Sequence, residues 1–524
     1  MNRAIATAVL LACLAARRAH ALDDAAAAHV LRFSNDQLAA TAALLPATAS
    51  PSTTRADGTW NTVSNTDAIG WTQGFFPGAN WYVYDLTGDA QAKARADRWT
   101  RALEGQKTNT QTHDLGFKMH LSFGHAYRST GDPYYKGVLL AAAGSLASRF
   151  DSTIGAVICC DWNPKWHRPV VTDTMVDLEL LLWGAANGGS QSWRDMALSH
   201  ALKTLADMVR DDGSTFHVVD YSTSGAILSR GTFQGYSDSS TWTRGQAWAI
   251  YGYTMVYRYS GDPRMLAAAR KVADYYLSRL GNDPVPNWDF DAPTEHKDSS
   301  AAAAVASALF ELSGFVSGAD GERYLEAATR MLDALASPAY LAEGSSSQAI
   351  LLHGTANVPE GHGLDAGLSY GDHYFLEALA RRRPVSAPDA GVPDAGVPDA
   401  GVPDAGVPDA GASDAGTPDA GSGGGPPDAG APDAGAPDAG TPDPDAGAGT
   451  PDSGARDAGE PDAGTSDAGA GAGPPDAAGT PPPSTVAPGP SPAPAGGCAT
   501  GGDAAAIGCI VFLACALRRL RMRR

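Results

Sequence analysis

Cysteine is scarce in this chain: there are six in 524 residues, and between residues 22 and 384 only the adjacent Cys159 and Cys160. No Cys/His spacing of a zinc site accompanies them, so a disulfide framework and a structural metal are both excluded as the source of stability. Neighbouring cysteines rarely bridge, and the pair reads as two buried thiols. Positive charge is also short, with 38 Lys and Arg against 58 Asp and Glu and a net charge of −20, which argues against nucleic-acid binding. Neither of the terminal apolar runs, Ala4–Ala16 and Ala504–Leu517, reaches the ~20 residues of a full membrane span. From Pro388 large apolar residues almost vanish into PDAG tetrads, which cannot offset the entropy of ordering and are expected to be disordered.

These deficits divide the chain. Residues 1–21 read as an export signal, with Arg3, the apolar run and Ala19-His20-Ala21 as a cleavage site. Leu10-Leu11-Ala12-Cys13 offers a weaker lipoprotein alternative. Residues 22–384 are the segment able to build a core. Residues 385–497 form an acidic linker: between Asp389 and Asp503 the balance is −18, so the tail carries most of the net charge. Residues 498–524 pair a Gly-Cys and a short apolar run with five arginines, which suits a positive-inside stop. The expectation is an exported, monomeric protein held at the cell surface or outer envelope through a membrane contact of its C-terminal tail.

What is abundant is helical periodicity, and short turns break it repeatedly. LTGD at Leu86–Asp89, STGDP at Ser129–Pro133 and SGDP at Ser260–Pro263 each separate two apolar helices. Gly ends one helix, Asp caps the next, and Pro fits its first turn. Apolar spacing predicts helices over 24–45, 75–87, 89–107, 114–130, 132–150, 173–187, 191–212, 244–260, 262–280, 298–315, 321–337 and 366–381. The segment AAAAVASALFELS at 301–313 suits an inner ring packed on both sides, and RKVADYYLSRL at 270–280 suits an outer ring facing water. Twelve helices in six pairs give an all-α (α/α)6 barrel, with an open solenoid as the alternative. Closure of the barrel would bring Asp114, Asp173 and Asp298, which each open the first helix of a pair, to one mouth.

Taken singly, Asp114 and Asp173 read as helix caps. Asp177, four residues after Asp173, shares its helical face, and like charges so close raise the pKa of one of them, as a general acid requires. The loop GTFQGYSDSSTWTRGQAW before the 244 helix is rich in aromatic and planar hydrogen-bonding groups, a vocabulary for sugars, and Arg244 is suited to grip a carboxylate with both arms. Trp242 and Trp248 serve core packing equally well. No cluster of His, Cys and carboxylates with ligand spacing appears, so no metal and no cofactor is expected.

The blocks GWTQGFFPGANWYVYDLTGD, THDLGF, RPVVTDTMVDLELL, TFQGYSDSSTWTRGQAWAIYG, NWDFDAP with KDSSAAAAVASALFELS, and GDHYFLEAL occur in this order. With them the chain resembles glycoside hydrolase family 88, the unsaturated glucuronyl hydrolases, over about residues 25–383. The tail similarly resembles myxobacterial sorting tails, which would make Cys498 a processing point. The family resemblance implies an (α/α)6 barrel that removes a 4,5-unsaturated uronic acid from the non-reducing end of lyase-generated oligosaccharides by hydrating its vinyl ether. It implies Asp173 as proton donor to C-4 and Asp114 as the second essential carboxylate. It implies substrate contacts from His113, His217, Thr232, Gln234, Trp242, Arg244 and Trp248, with Trp71 as a subsite wall. Asp177 departs from the pattern, because family members often carry Asn there. An unsaturated rhamnogalacturonyl hydrolase and a non-catalytic surface glycan-binding protein are the rival readings.

Overall fold

The computed structural model describes residues 22–382 apart from 161 and 162. The expected export signal, linker and anchor therefore lie outside the described residues.

The helices are α1 (Asp24–Leu44), α2 (Phe75–Thr87), α3 (Ala90–Arg101), α4 (His125–Thr130, continuing a π-helix over Gly116–Gly124), α5 (Pro133–Ala147), α6 (Thr174–Ala186), α7 (Ser192–Asp207), α8 (Thr243–Ser260), α9 (Pro263–Leu280), α10 (Ser299–Phe315), α11 (Gly318–Leu335) and α12 (Ser369–Arg381). The turns between paired helices behave as their chemistry dictates. Gly88, Gly131 and Gly261 take left-handed φ values of 72°, 68° and 66°, and the Asp89, Asp132 and Asp262 side chains cap the following helices.

Six helices form a closed inner ring: α2, the π-helix with α4, α6, α8, α10 and α12, with α12 packed back on α2. Their side chains are almost wholly buried, as on α10, where Ala301–Ala306 show no exposure. The outer members bury one face only. The inner ring runs in chain order and closes between its last and first helices. The first helix, α1, belongs to the outer layer: it packs on α2 and α3, and Gln37 Nε2 donates to the Ser347 and Ala349 carbonyls in the connection before α12.

Two departures from the sequence reading matter for the site. The chain is not purely helical: seven short strands lie in its connections among the described residues. Strands β1 (Ala49–Thr54) and β2 (Trp60–Ser64) form a hairpin, and β3 (Phe150–Asp151) pairs with β4 (Ala156–Val157). β5 (Arg168–Val171), β6 (Val218–Tyr221) and β7 (Ile227–Gly231) make an antiparallel sheet with Val171, Val218 and Gly231 in one row. The second departure is Cys159–Cys160, which forms a disulfide rather than two free thiols. The bridge packs with Trp166, Val171, Val218 and Phe233 beside the row that ends this sheet.

Candidate active site

The end row of the sheet places three of the expected residues together. Asp173 follows β5 by two residues, His217 precedes β6, and Thr232 follows β7. His217 Nδ1 lies 3.1 Å from Thr232 Oγ1 and accepts the Phe233 N–H at 3.3 Å. A nitrogen that accepts is unprotonated in a neutral imidazole, so the ring proton sits on Nε2, 3.3 Å from Asp173 Oδ2. The Trp242 ring stacks on His217 with centroids 4.4 Å apart, fixing its plane.

Burial works to raise the pKa of Asp173, but the close approach of the His217 imidazole and the charges of His113 and Arg244 outweigh it and hold the carboxyl below its ordinary value. The spacing left open which carboxyl of the Asp173/Asp177 pair is raised, and it is not Asp173. The raised carboxyl is Asp177, fully buried and pushed up to about 7 by burial, with the charge of Asp114 adding to it.

Asp177 answers to His113, not to Asp173. His113 Nδ1 lies 2.9 Å from Asp177 Oδ2, and the Phe117 N–H donates to Asp177 Oδ1 at 3.0 Å. His113 Nε2 is 3.4 Å from Asp114 Oδ1. Burial lowers the His113 pKa, yet Asp114 and Asp177 overcome it and lift it to about 9, so its imidazolium bridges the two carboxylates at neutral pH. The fold thus assembles a His/Asp/Asp cluster, His113, Asp114 and Asp177, with ligand-sized separations that linear spacing did not show. The ion pairing within it satisfies the three groups, and a metal would need the imidazole deprotonated.

The helix-cap reading of the two key carboxylates does not hold. Asp173 precedes α6 without a side-chain cap bond, and the Asp114 carboxylate accepts from Thr112 Oγ1 instead. Their side chains keep 14% and 19% exposure, Asp114 and Asp173 respectively, so both are reachable by a ligand. Asp298 is the true cap: it accepts from the Ser300 N–H and is fully buried.

Arg244 corrects a second expectation. Its guanidinium is fully buried, ion-paired to Asp298 at 2.5 Å, and donates to the Thr355 and Ala356 carbonyls at 2.6 and 2.5 Å. Both terminal nitrogens are held by the scaffold rather than open as a two-armed carboxylate grip, the buried Nε has no partner among the described residues, and the group acts on the site through Trp242, 4.6 Å from its ring, and through its charge on Asp173. Gln234 Nε2 donates to the same Ala356 carbonyl. Trp248 is 1% exposed and packs on Phe117 and Tyr374, which is core packing rather than substrate contact. Trp71 is half-buried, braced by Phe75, Phe117 and Tyr370. Tyr370 went unnoticed in the sequence: it is a single aromatic at the start of an ordinary helix, and nothing local marks it.

No family model matches the chain. It is 43% identical over 322 residues to an unsaturated glucuronyl hydrolase from Formosa agariphila, covering 60% of this chain and 80% of that relative. It is 31% identical over 346 residues to an unsaturated chondroitin disaccharide hydrolase from Streptococcus pyogenes, covering 63% and 85%. Among solved structures, an unsaturated glucuronyl hydrolase specific for heparin superposes with a TM-score of 0.66 at 37% identity, over 69% of this chain and 97% of that one. The heparin-specific hydrolase shares the closed double ring of helices described above, and the chain belongs to the unsaturated glucuronyl hydrolases.

Proposed function

We propose that the protein is a glycoside hydrolase that releases a 4,5-unsaturated uronic acid from lyase-generated oligosaccharides by hydration of the vinyl ether. The observation that carries this reading is the pairing of a partly exposed Asp173 with a His217 whose proton faces it, beside a second partly exposed carboxylate, Asp114. Asp173 is ionised at rest. A uronate entering beside it adds negative charge and displaces water, and both effects raise its pKa, so it takes up a proton as substrate binds. That proton goes to C-4. Water adds at C-5, and its proton returns to Asp173. The hemiketal at C-5 opens and the aglycone leaves.

Asp114, 3.4 Å from the His113 imidazole, is directed at ring hydroxyls. The partly exposed face of Trp71 supplies a sugar-stacking wall. Loss of near-ultraviolet absorbance from a panel of unsaturated disaccharides, given to purified 22–384, tests this. Turnover of saturated glycosides alone would overturn it.

We also propose, from the sequence of the two termini, that the enzyme is exported and tethered. Truncation at Pro384 should then release active enzyme into the medium. Full-length protein found wholly in the cytoplasm would refute the tether and leave the catalytic reading intact.

A further inference from the structure

Lys118 is fully buried in the π-helical stretch Gly116–Gly124, two residues from the close approach of Gly116 to Asp177. Its ammonium has three hydrogens and three acceptors: the Ala68 carbonyl at 2.8 Å, Gln106 Oε1 at 3.3 Å and the Asp67 carbonyl at 3.4 Å. Asp67 and Ala68 belong to the loop that leads into Trp71. Among the described residues, Lys118 is the one side chain of Gly116–Gly124 that hydrogen-bonds to this loop. Its other anchors are uncharged: Gln106 and Asn109 reach it from the 3₁₀ turn Glu104–Thr108 and the residue after, and Gln73 from the loop itself.

A buried ammonium is an expensive way to hold a loop that amides already hold. Each acceptor of Lys118 keeps a second partner without it: Asn109 on Ala68 and on Gln106 Oε1, Gln106 and Gln73 on Asp67. What Lys118 alone adds is a positive charge linking the loop to the helix that follows Asp114. π-helical turns widen a helix locally and are frequent at functional sites, and here the widened turn carries this residue inward.

We propose that Lys118 is a positioning residue of the site, whose charged amine couples the loop bearing Trp71 to the helix that follows Asp114. The inference rests on the reading that Trp71 walls the sugar subsite. The carboxylates facing Lys118 are Asp114 before its own helix, Asp67 on the loop and Asp177 on α6; the 3₁₀ turn presents only the neutral Gln106. Burial outweighs them and lowers its pKa to about 8. The coupling therefore weakens as pH rises through 8.

The test is hydrogen exchange across 65–71, normalised to intrinsic rates, together with kinetics of Lys118→Met on an unsaturated disaccharide. The expected result is at least tenfold faster exchange in 65–71 with α10 unchanged, and KM raised at least fivefold with kcat within threefold. Unchanged exchange in 65–71 would overturn the proposal, and so would faster exchange with an unchanged KM. If Lys118→Met does not fold, the wild-type protein decides: protection of 65–71 should fall between pH 7 and 9.5, and constant protection overturns the idea. A wild-type protein inactive on every unsaturated disaccharide would sink the functional reading, while the exchange arm still judges Lys118.

Discussion

His217 and Asp173 form the hinge of the site: the imidazole Nε2 lies 3.3 Å from Asp173 Oδ2, and a backbone N–H on Nδ1 fixes which nitrogen carries the proton. The lowered pKa of Asp173 depends on this contact first among the groups that lower it, ahead of the charges of His113 and Arg244. Asp173 must hold a proton to act, so His217→Ala, which raises its pKa, should move the alkaline limb of the kcat–pH profile upward. Asp173→Asn should lose ~10²–10⁴-fold in kcat, the usual range for general acid–base catalysis. Its melting temperature should stay near wild type, because the side chain caps no helix. Thermal unfolding beside steady-state kinetics checks both, and a variant that unfolds early would restore the cap reading.

The His113–Asp177 pair should make stability depend on alkaline pH. His113 titrates at about 9 instead of its ordinary 6.5, so its folded-state pKa is raised. The stabilisation is complete below pH 6.5 and is lost as pH rises through 9. The melting temperature should fall between pH 7 and 9.5, and the fall should shrink in Asp177→Asn. Equal falls in the two proteins would remove the pair from this account.

Breaking the Arg244–Asp298 pair leaves an unpaired buried charge. Both side chains have no exposure, and removing one partner of such a pair typically costs about 3–5 kcal/mol. Asp298→Ala should lose stability on that scale and also the cap on the Ser300 N–H. Denaturant titration measures this. A loss under about 1 kcal/mol, the scale of an exposed pair, would contradict the buried geometry.

The Cys159–Cys160 bridge closes almost no chain, and disulfide stabilisation grows with the loop closed. Replacing both cysteines by Ser should change unfolding free energy by less than about 2 kcal/mol, below the usual contribution of a disulfide. Alkylation of the denatured, unreduced protein should leave both sulfurs unmodified, and prior reduction should expose both. Adducts on both without reduction would show free thiols.

Much of the ring architecture was legible because it is local. Helix periodicity, the Gly-Asp-Pro turns and the small-residue run of α10 each follow from the backbone of a few consecutive residues, and twelve helices did form close to their expected bounds. The strands of the β5–β7 sheet escaped notice because each has only 4 or 5 residues, too few for a period-2 pattern to stand out. The π-helix escaped for a related reason: its apolar spacing over Gly116–Gly124 differs little from that of an ordinary helix.

The sequence by itself determined which family the chain belongs to and offered the candidate site residues, since ordered motifs bear that information directly. Only the tertiary structure decided how those residues are partnered. Asp173 and Asp177 are four apart in the chain, yet Asp177 is claimed by His113, 64 residues away, and Asp173 by His217. Arg244, which the sequence offers as an open grip, is claimed by Asp298, 54 residues on. The reason is physical. A charge buried by folding must find a partner, and the partner is set by which helices the closed ring brings together, not by neighbours in sequence.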